Sequence, residues 1–147
     1  MFNLGFFGSH NSSIVISKKD EVLEVVEVER FISKKNAALF FYYMVHNPTQ
    51  IIEEIKLYFE QKYGVTEYDN VVFNSVKDGA EKLFPAKNYM GLGHHTAHAY
   101  SAFYQSPFQS ALVISFDGGS DEGFFNVYVA NRCTEMRKIY YGTRDYA

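Results

Sequence analysis

Gly93-His94-His95-Thr96-Ala97-His98-Ala99, followed by Ser101-Ala102-Phe103-Tyr104, is the stretch around which the chain is organised. Three of the five histidines fall within it. If residues 94 to 104 are helical, His94 and His98 stand one turn apart on one face, roughly 5–6 Å between Cβ atoms. Two imidazoles at that spacing can hold one metal ion, and neutral imidazole suits Zn, Fe, Cu or Ni. His95 points about 100° away and reads as a packing or hydrogen-bonding residue. Spacing alone leaves a second reading open, in which His94 and His98 are surface or capping residues.

Working outward, Ser106-Pro107-Phe108 is followed by the apolar run Ala111 to Phe116, the loop Asp117-Gly118-Gly119-Ser120-Asp121-Glu122-Gly123, and a second apolar run, Phe124 to Ala130. Two β-branched and aromatic runs around a Gly-rich acidic loop predict a hairpin. Asp117, at the end of the first strand, can complete a two-His, one-carboxylate site with open positions. Gly118 and Gly119 leave backbone N–H groups uncovered, and such groups cradle phosphate. Asp and Gly also serve the dihedrals of a tight turn, and the two roles are compatible.

Upstream, Phe2–Phe7, Ser12–Ser17 and Glu21–Val28 predict three antiparallel strands in a meander, the third near a sheet edge because Glu24, Glu27 and Glu29 interrupt it. The loop Gly8-Ser9-His10-Asn11-Ser12-Ser13 is either a turn or a ligand-facing segment. Glu29-Arg30-Phe31 and Lys34-Lys35-Asn36 read as a solvated loop with cations that can meet an anionic ligand. The apolar run Ala37–Val45 follows. Asn47-Pro48-Thr49-Gln50 starts a helix with Asn as N-cap and Pro at the first helical position. Ile51, Ile52, Ile55, Tyr58 and Phe59 form its apolar stripe, and Gly64 ends it. Val71-Val72-Phe73 reads as a short buried strand, residues 76 to 88 as a loop with one helical turn, and Tyr89 to Gly93 as the lead into the histidine helix.

Residues 2–28 and 111–141 both run strand, polar loop, strand, polar turn, strand. The first copy continues into helix and strand; the second stops in mid-plan, so the chain reads as part of something longer or reliant on a partner. At 147 residues and 47% apolar, the composition argues against disorder. A net charge of −3 without a basic block argues against nucleic acid. No apolar run is long enough for a membrane helix, no signal-peptide pattern opens the chain, and Cys133 is the sole cysteine, so a cytoplasmic location is expected.

The Gly8–Ser13 loop, Glu29-Arg30-Phe31 with Lys35, the His94-His95-x-x-His98-Ala99 run, Ser101–Tyr104 with Ser106-Pro107-Phe108, and Asp117-Gly118-Gly119 resemble the O-carbamoyltransferases of nodulation-factor and antibiotic type. The resemblance implies an α/β lobe of the actin/Hsp70/sugar-kinase (ribonuclease H-like) fold with a mixed sheet over residues 1–108, and the opening strands of a second lobe over 109–147. It also implies an enzyme that makes carbamoyl-adenylate from carbamoyl phosphate and ATP and passes the carbamoyl group to an acceptor hydroxyl.

Carried over by position, His94, His98 and Asp117 are metal ligands, for a divalent transition ion that is iron in the family. His10 is the catalytic residue facing carbamoyl-adenylate, and Gly118, Gly119, Ser12 and Lys35 contact the nucleotide. The implied partners are ATP, carbamoyl phosphate, a small-molecule hydroxyl acceptor, and the remainder of a full-length protein or a second subunit, with neither nucleic acid nor membrane. Asn36 departs from the pattern, standing where many members carry a histidine, and Asp121 and Glu122 add negative charge beside the expected phosphate loop. A rival reading is a non-catalytic metal- or nucleotide-binding interaction module. A phosphotransferase of the same superfamily fits less well, since Mg²⁺ calls for carboxylates and not imidazoles.

Overall fold

The structure is a computed structural model that describes residues 1–40, 47–76, 79–120 and 122–142. Its contacts divide the chain into two compact units, Met1–Gly91 and Leu92–Ala147. This division follows packing, whereas the sequence-based boundary at 108/109 follows topology. The part of Ala37–Val45 beyond residue 40, and Asp121, lie outside the described residues.

In the first unit, β1 (Phe2–Phe7), β2 (Ser13–Lys18) and β3 (Glu21–Glu27) form the expected meander. β4 (Tyr68–Asn74) and β5 (Ala86–Gly91) join it in parallel, giving the mixed order β3-β2-β1-β4-β5. The α/β class with a mixed sheet, expected for the first lobe, is thus the one observed. β3 lies at the sheet edge, where Glu21 and Glu27 reach water while Glu24 accepts hydrogen bonds from Tyr58, Lys62 and Tyr63.

Alternation along the strands sends Leu4, Phe6, Ile14, Ile16 and Val26 to one face. That face meets Ile51, Ile52, Ile55 and Phe59 of α2 (Pro48–Tyr63) to build the core. Gly64 closes α2 in the left-handed conformation, φ 67°, with its N–H donating to the Glu60 carbonyl. Asn47 precedes the helix, but its own left-handed backbone (φ 56°) goes with no side-chain cap hydrogen bond.

Two local readings need correction. Glu29-Arg30-Phe31 belong to a single helical turn, α1 (Val28–Phe31), and not to a loop. Residues 86–91 are a strand, not a lead-in. Ala86-Lys87-Asn88-Tyr89-Met90-Gly91 has no apolar alternation because β5 is an exposed edge, and its pairing with β4 creates it.

In the second unit, α3 (His94–Gln105) covers one face of an antiparallel sheet of β6 (Ser110–Ser120), β7 (Gly123–Asn131) and β8 (Thr134–Gly142). Ala99 and Phe103, one turn apart, pack on Val113, Tyr128, Ala130 and Met136. The expected hairpin forms, with β6 running past Asp117 to Ser120 through an irregular register after Phe116. Among the described residues, no helix is long and apolar enough to cross a membrane.

Candidate metal centre

Helix periodicity and the hairpin meet at one point. His94 and His98 are on the same face of α3, and Asp117 projects from β6 towards both. The His94 Nε2 and Asp117 Oδ2 atoms are 2.6 Å apart, His98 Nε2 and Asp117 Oδ2 are 3.4 Å apart, and the two Nε2 atoms are 3.2 Å apart. Among the described residues this is the one cluster of three His, Cys or carboxylate groups close enough to share an ion.

The donor set fits a transition metal. Ligand atoms about 2.0–2.2 Å from a common ion lie roughly 3–3.5 Å from one another. Two of the three separations already have that value, and the third, a hydrogen bond, opens to it by less than about 1 Å. Proton count points the same way. The ionised Asp117 accepts only, so His94 Nε2 carries a proton towards it. That nitrogen then has no lone pair to accept from His98, so the two Nε2 atoms, 3.2 Å apart, share at most this one proton, which already points to Asp117.

Electrostatics keep Asp117 ionised. The hydrogen bond from His94, the Gly118 N–H at 2.6 Å from Oδ1 and the nearby His98 hold its carboxyl at about pKa 2. The Gly118 N–H, expected to face phosphate, is spent on orienting Asp117. A side chain at Gly118 would meet nothing within 4 Å, so the approach to the carboxylate is open there. Gly119 continues β6 beside it.

Beneath the pair, His95 is fully buried: Nδ1 is 2.7 Å from Ser115 Oγ and Nε2 2.9 Å from the Gly123 carbonyl. A carbonyl only accepts, so the proton is on Nε2, and Ser115 donates its hydroxyl proton to Nδ1. His95 therefore ties α3 to both strands of the hairpin, the packing and hydrogen-bonding role expected of it.

The helix ends are held by side chains remote in sequence. Gly93 precedes α3 and carries no capping side chain. Glu122 supplies the cap, accepting from the Thr96 N–H at 3.0 Å and the Thr96 hydroxyl at 2.8 Å, and pairing with Lys138. Burial pushes the Glu122 carboxyl up, but Lys138 and the Thr96 donors outweigh it and bring it below the usual range. Far from standing as a free charge beside the glycines, Glu122 sits at the positive end of the helix dipole. At the other end, the Arg132 guanidinium donates to the Phe108 carbonyl at 2.9 Å and the Ser106 carbonyl at 2.5 Å. Sequence inspection missed Glu122, Lys138 and Arg132 as determinants of the site.

The other expected site residues belong to the first unit. His10 is exposed on the β1–β2 turn, its ring edge-on to Phe7 with centroids 6.1 Å apart. Ser12 is fully buried; its hydroxyl donates to the Ser9 carbonyl at 2.5 Å and accepts from the Leu39 N–H at 2.9 Å, which shapes the loop. Gly8 is required there by close approach, since a Cβ would lie 2.8 Å from the Ser75 carbonyl oxygen. Lys35 is exposed, and the neighbouring Asn36 N–H donates to Glu29 at 3.0 Å.

No family model matches the chain. An uncharacterized protein of Methanocaldococcus jannaschii is 31% identical over 137 residues, which is 88% of this chain and 24% of that relative. Two solved structures of the Aquifex aeolicus PPX-GPPA enzyme cover 97% of the chain at 12% identity, with TM-scores of 0.48 and 0.47. The chain spans about a quarter of the length of the curated relative and about half of the solved chains.

Proposed function

We propose that this chain is the N-terminal portion of an O-carbamoyltransferase that moves a carbamoyl group from carbamoyl-adenylate, made from carbamoyl phosphate and ATP, to an acceptor hydroxyl. The observation that carries this reading is the convergence of His94 Nε2, His98 Nε2 and Asp117 Oδ2, together with the motif resemblance of the chain. His94, His98 and Asp117 would hold a divalent transition ion, iron by resemblance, which when bound supplies Lewis-acid polarisation of a carbamoyl or phosphate oxygen.

Asp117 stays charged throughout the physiological range and is aimed by the Gly118 N–H, so the ligand set is preorganised. Glu122 and His95 fix the first turn of α3, which keeps both imidazoles on the Asp117 side. His10, exposed on its turn in the first unit, is by resemblance the residue that faces the carbamoyl-adenylate, whose carbamoyl carbon bonds to the acceptor oxygen as the adenylate oxygen departs with its electron pair. Lys35 offers a cation for the nucleotide, and Ser12 holds the shape of the loop that carries His10.

The test is carbamoyl transfer by the native-length protein given ATP, carbamoyl phosphate and a panel of hydroxyl acceptors, read as AMP release and carbamoylated product. The proposal expects transfer that His94→Ala or Asp117→Asn abolishes. Transfer unaffected by both variants would refute the site, and the absence of carbamoylation with any acceptor would refute the reaction.

A further inference from the structure

Asn126 is fully buried in β7, and alternation with Tyr128 and Ala130 turns it towards α3. Its Nδ2 donates to the Glu122 carbonyl at 2.8 Å. Its Oδ1, equally cut off from water, has no hydrogen-bond partner among the described residues. Turning the carboxamide over does not help, because Oδ1 would then meet the Glu122 carbonyl oxygen, acceptor against acceptor. A buried acceptor without a donor costs stability, and Leu, with the same branched outline, would avoid that cost. What distinguishes Asn here is its donor.

That donor acts where the first turn of α3 meets the hairpin. The Glu122 carboxylate accepts from the Thr96 N–H and hydroxyl. The next carbonyl along, that of Gly123, is 2.9 Å from His95 Nε2, and His95 Nδ1 is 2.7 Å from Ser115 Oγ. Ser115 is the residue opposite Asn126 in the β6–β7 ladder. The contacts therefore close a circuit through Asn126, Glu122, Thr96, His95 and Ser115. Its members adjoin the candidate metal ligands: His94 precedes His95, and Asp117 stands two residues after Ser115.

From this circuit we infer that Asn126 is a positioning residue for the metal centre. By holding the Glu122 carbonyl it sets the reach of the Glu122 carboxylate to Thr96, and so the register of His94 and His98 against Asp117. The effect on the helix end stands on the contacts alone; the effect on a metal rests on the proposed reading of His94, His98 and Asp117 as ligands.

Asn126→Leu separates this role from a merely structural one, because it removes the donor and the unpaired acceptor together. Amide hydrogen exchange of the metal-free protein is followed by NMR, with Zn²⁺ affinity and the melting temperature measured on the same preparations. The Thr96 amide is expected to exchange about tenfold faster, the scale of a lost helix cap, while the Phe103 amide two turns along α3 keeps its rate. The melting temperature should hold, and Zn²⁺ should bind about tenfold more weakly or worse, as for a lost outer-shell partner. In a Glu122→Ala background the same substitution should change Thr96 exchange no further. Asn126→Ala, which asks for no space that Asn does not already fill, repeats the exchange measurement should Leu disturb the packing.

Unchanged Thr96 exchange in both variants overturns the inference. So does faster exchange spread evenly over α3 and the sheet with a matching fall in melting temperature, or an undiminished effect in the Glu122→Ala background. Zn²⁺ affinity that survives the loss of Thr96 protection overturns the link to the metal centre. Wild-type protein that binds no Zn²⁺ refutes instead the reading of His94, His98 and Asp117 as ligands, and the metal role of Asn126 with it.

Discussion

The carboxylate of Glu122 occupies the space that a side chain on Gly93 would need: a Cβ at position 93 would overlap the Glu122 carboxyl carbon and both its oxygens. The backbone of Gly93, at φ −63° and ψ 155°, is open to any residue, so glycine is needed there for room and not for its dihedrals. Gly93→Ala should displace Glu122 and release the Thr96 N–H, at a cost of about 0.5–2 kcal/mol, the worth of a helix cap. In a Glu122→Ala background the same substitution should cost almost nothing. Urea unfolding of the four proteins of this cycle measures the difference. Equal costs in both backgrounds would show that the two residues are uncoupled.

His95 is held by the fold where His94 and His98 face the metal centre. Replacing it with Ala removes two buried hydrogen bonds and leaves a cavity beside Ser115, so stability should fall by about 2–4 kcal/mol. His98→Ala should leave the melting temperature nearly unchanged, because that ring is more than half exposed. Thermal melts of the two variants, run without added metal, should rank them in that order.

Metal content should follow the opposite ranking. Titration of metal-free protein with Zn²⁺ or Fe²⁺ should give micromolar or tighter binding in the native-length protein. That binding should be lost in His94→Ala and His98→Ala. Undiminished binding in the double variant would remove the metal centre from His94 and His98.

Asp117→Asn keeps the side-chain shape and its fitness for a turn while removing the charge. Stability should change by less than about 1–2 kcal/mol, whereas the proposed carbamoyl transfer by the native-length protein should fall by roughly 10²-fold or more, as for a lost electrostatic contact at a reacting centre. A variant that melts and transfers normally would reduce Asp117 to a turn residue.

The acid limb supplies a sign. The carboxyl of Asp117 lies at about pKa 2 in the folded protein, below its ordinary value of 3.8, so the unfolded chain takes up its proton first as pH falls. Its contribution to stability is therefore present above about pH 4 and fades as the pH drops towards 2. With 43% of the side chain exposed, the contribution is small. The difference in melting temperature between wild type and Asp117→Asn should shrink across this window. A difference that stays constant down to pH 2 would contradict the His94 and Gly118 contacts as its source.

Local pattern was enough for much of the chain. The alternation in Phe2–Phe7 and Ser13–Lys18, the stripe on α2 with Gly64 after it, the i,i+4 pair on α3 and the hairpin around Asp117 are properties of neighbouring residues. Period and turn chemistry therefore reveal them. The histidines and Asp117 were legible as one candidate site because a helix and the next strand are adjacent in sequence. What tertiary structure alone decided involves distant residues. β5 is a strand because β4 offers it a ladder; its own composition does not ask for one. α3 starts where it does because Glu122, 26 residues beyond Thr96, reaches its first turn past a glycine small enough to admit it. Ser12, chosen by resemblance for a ligand, has its hydroxyl engaged with Leu39, 27 residues away. Such pairings depend on which buried donor lies nearest an acceptor once the chain has packed, and no period in the sequence encodes that distance.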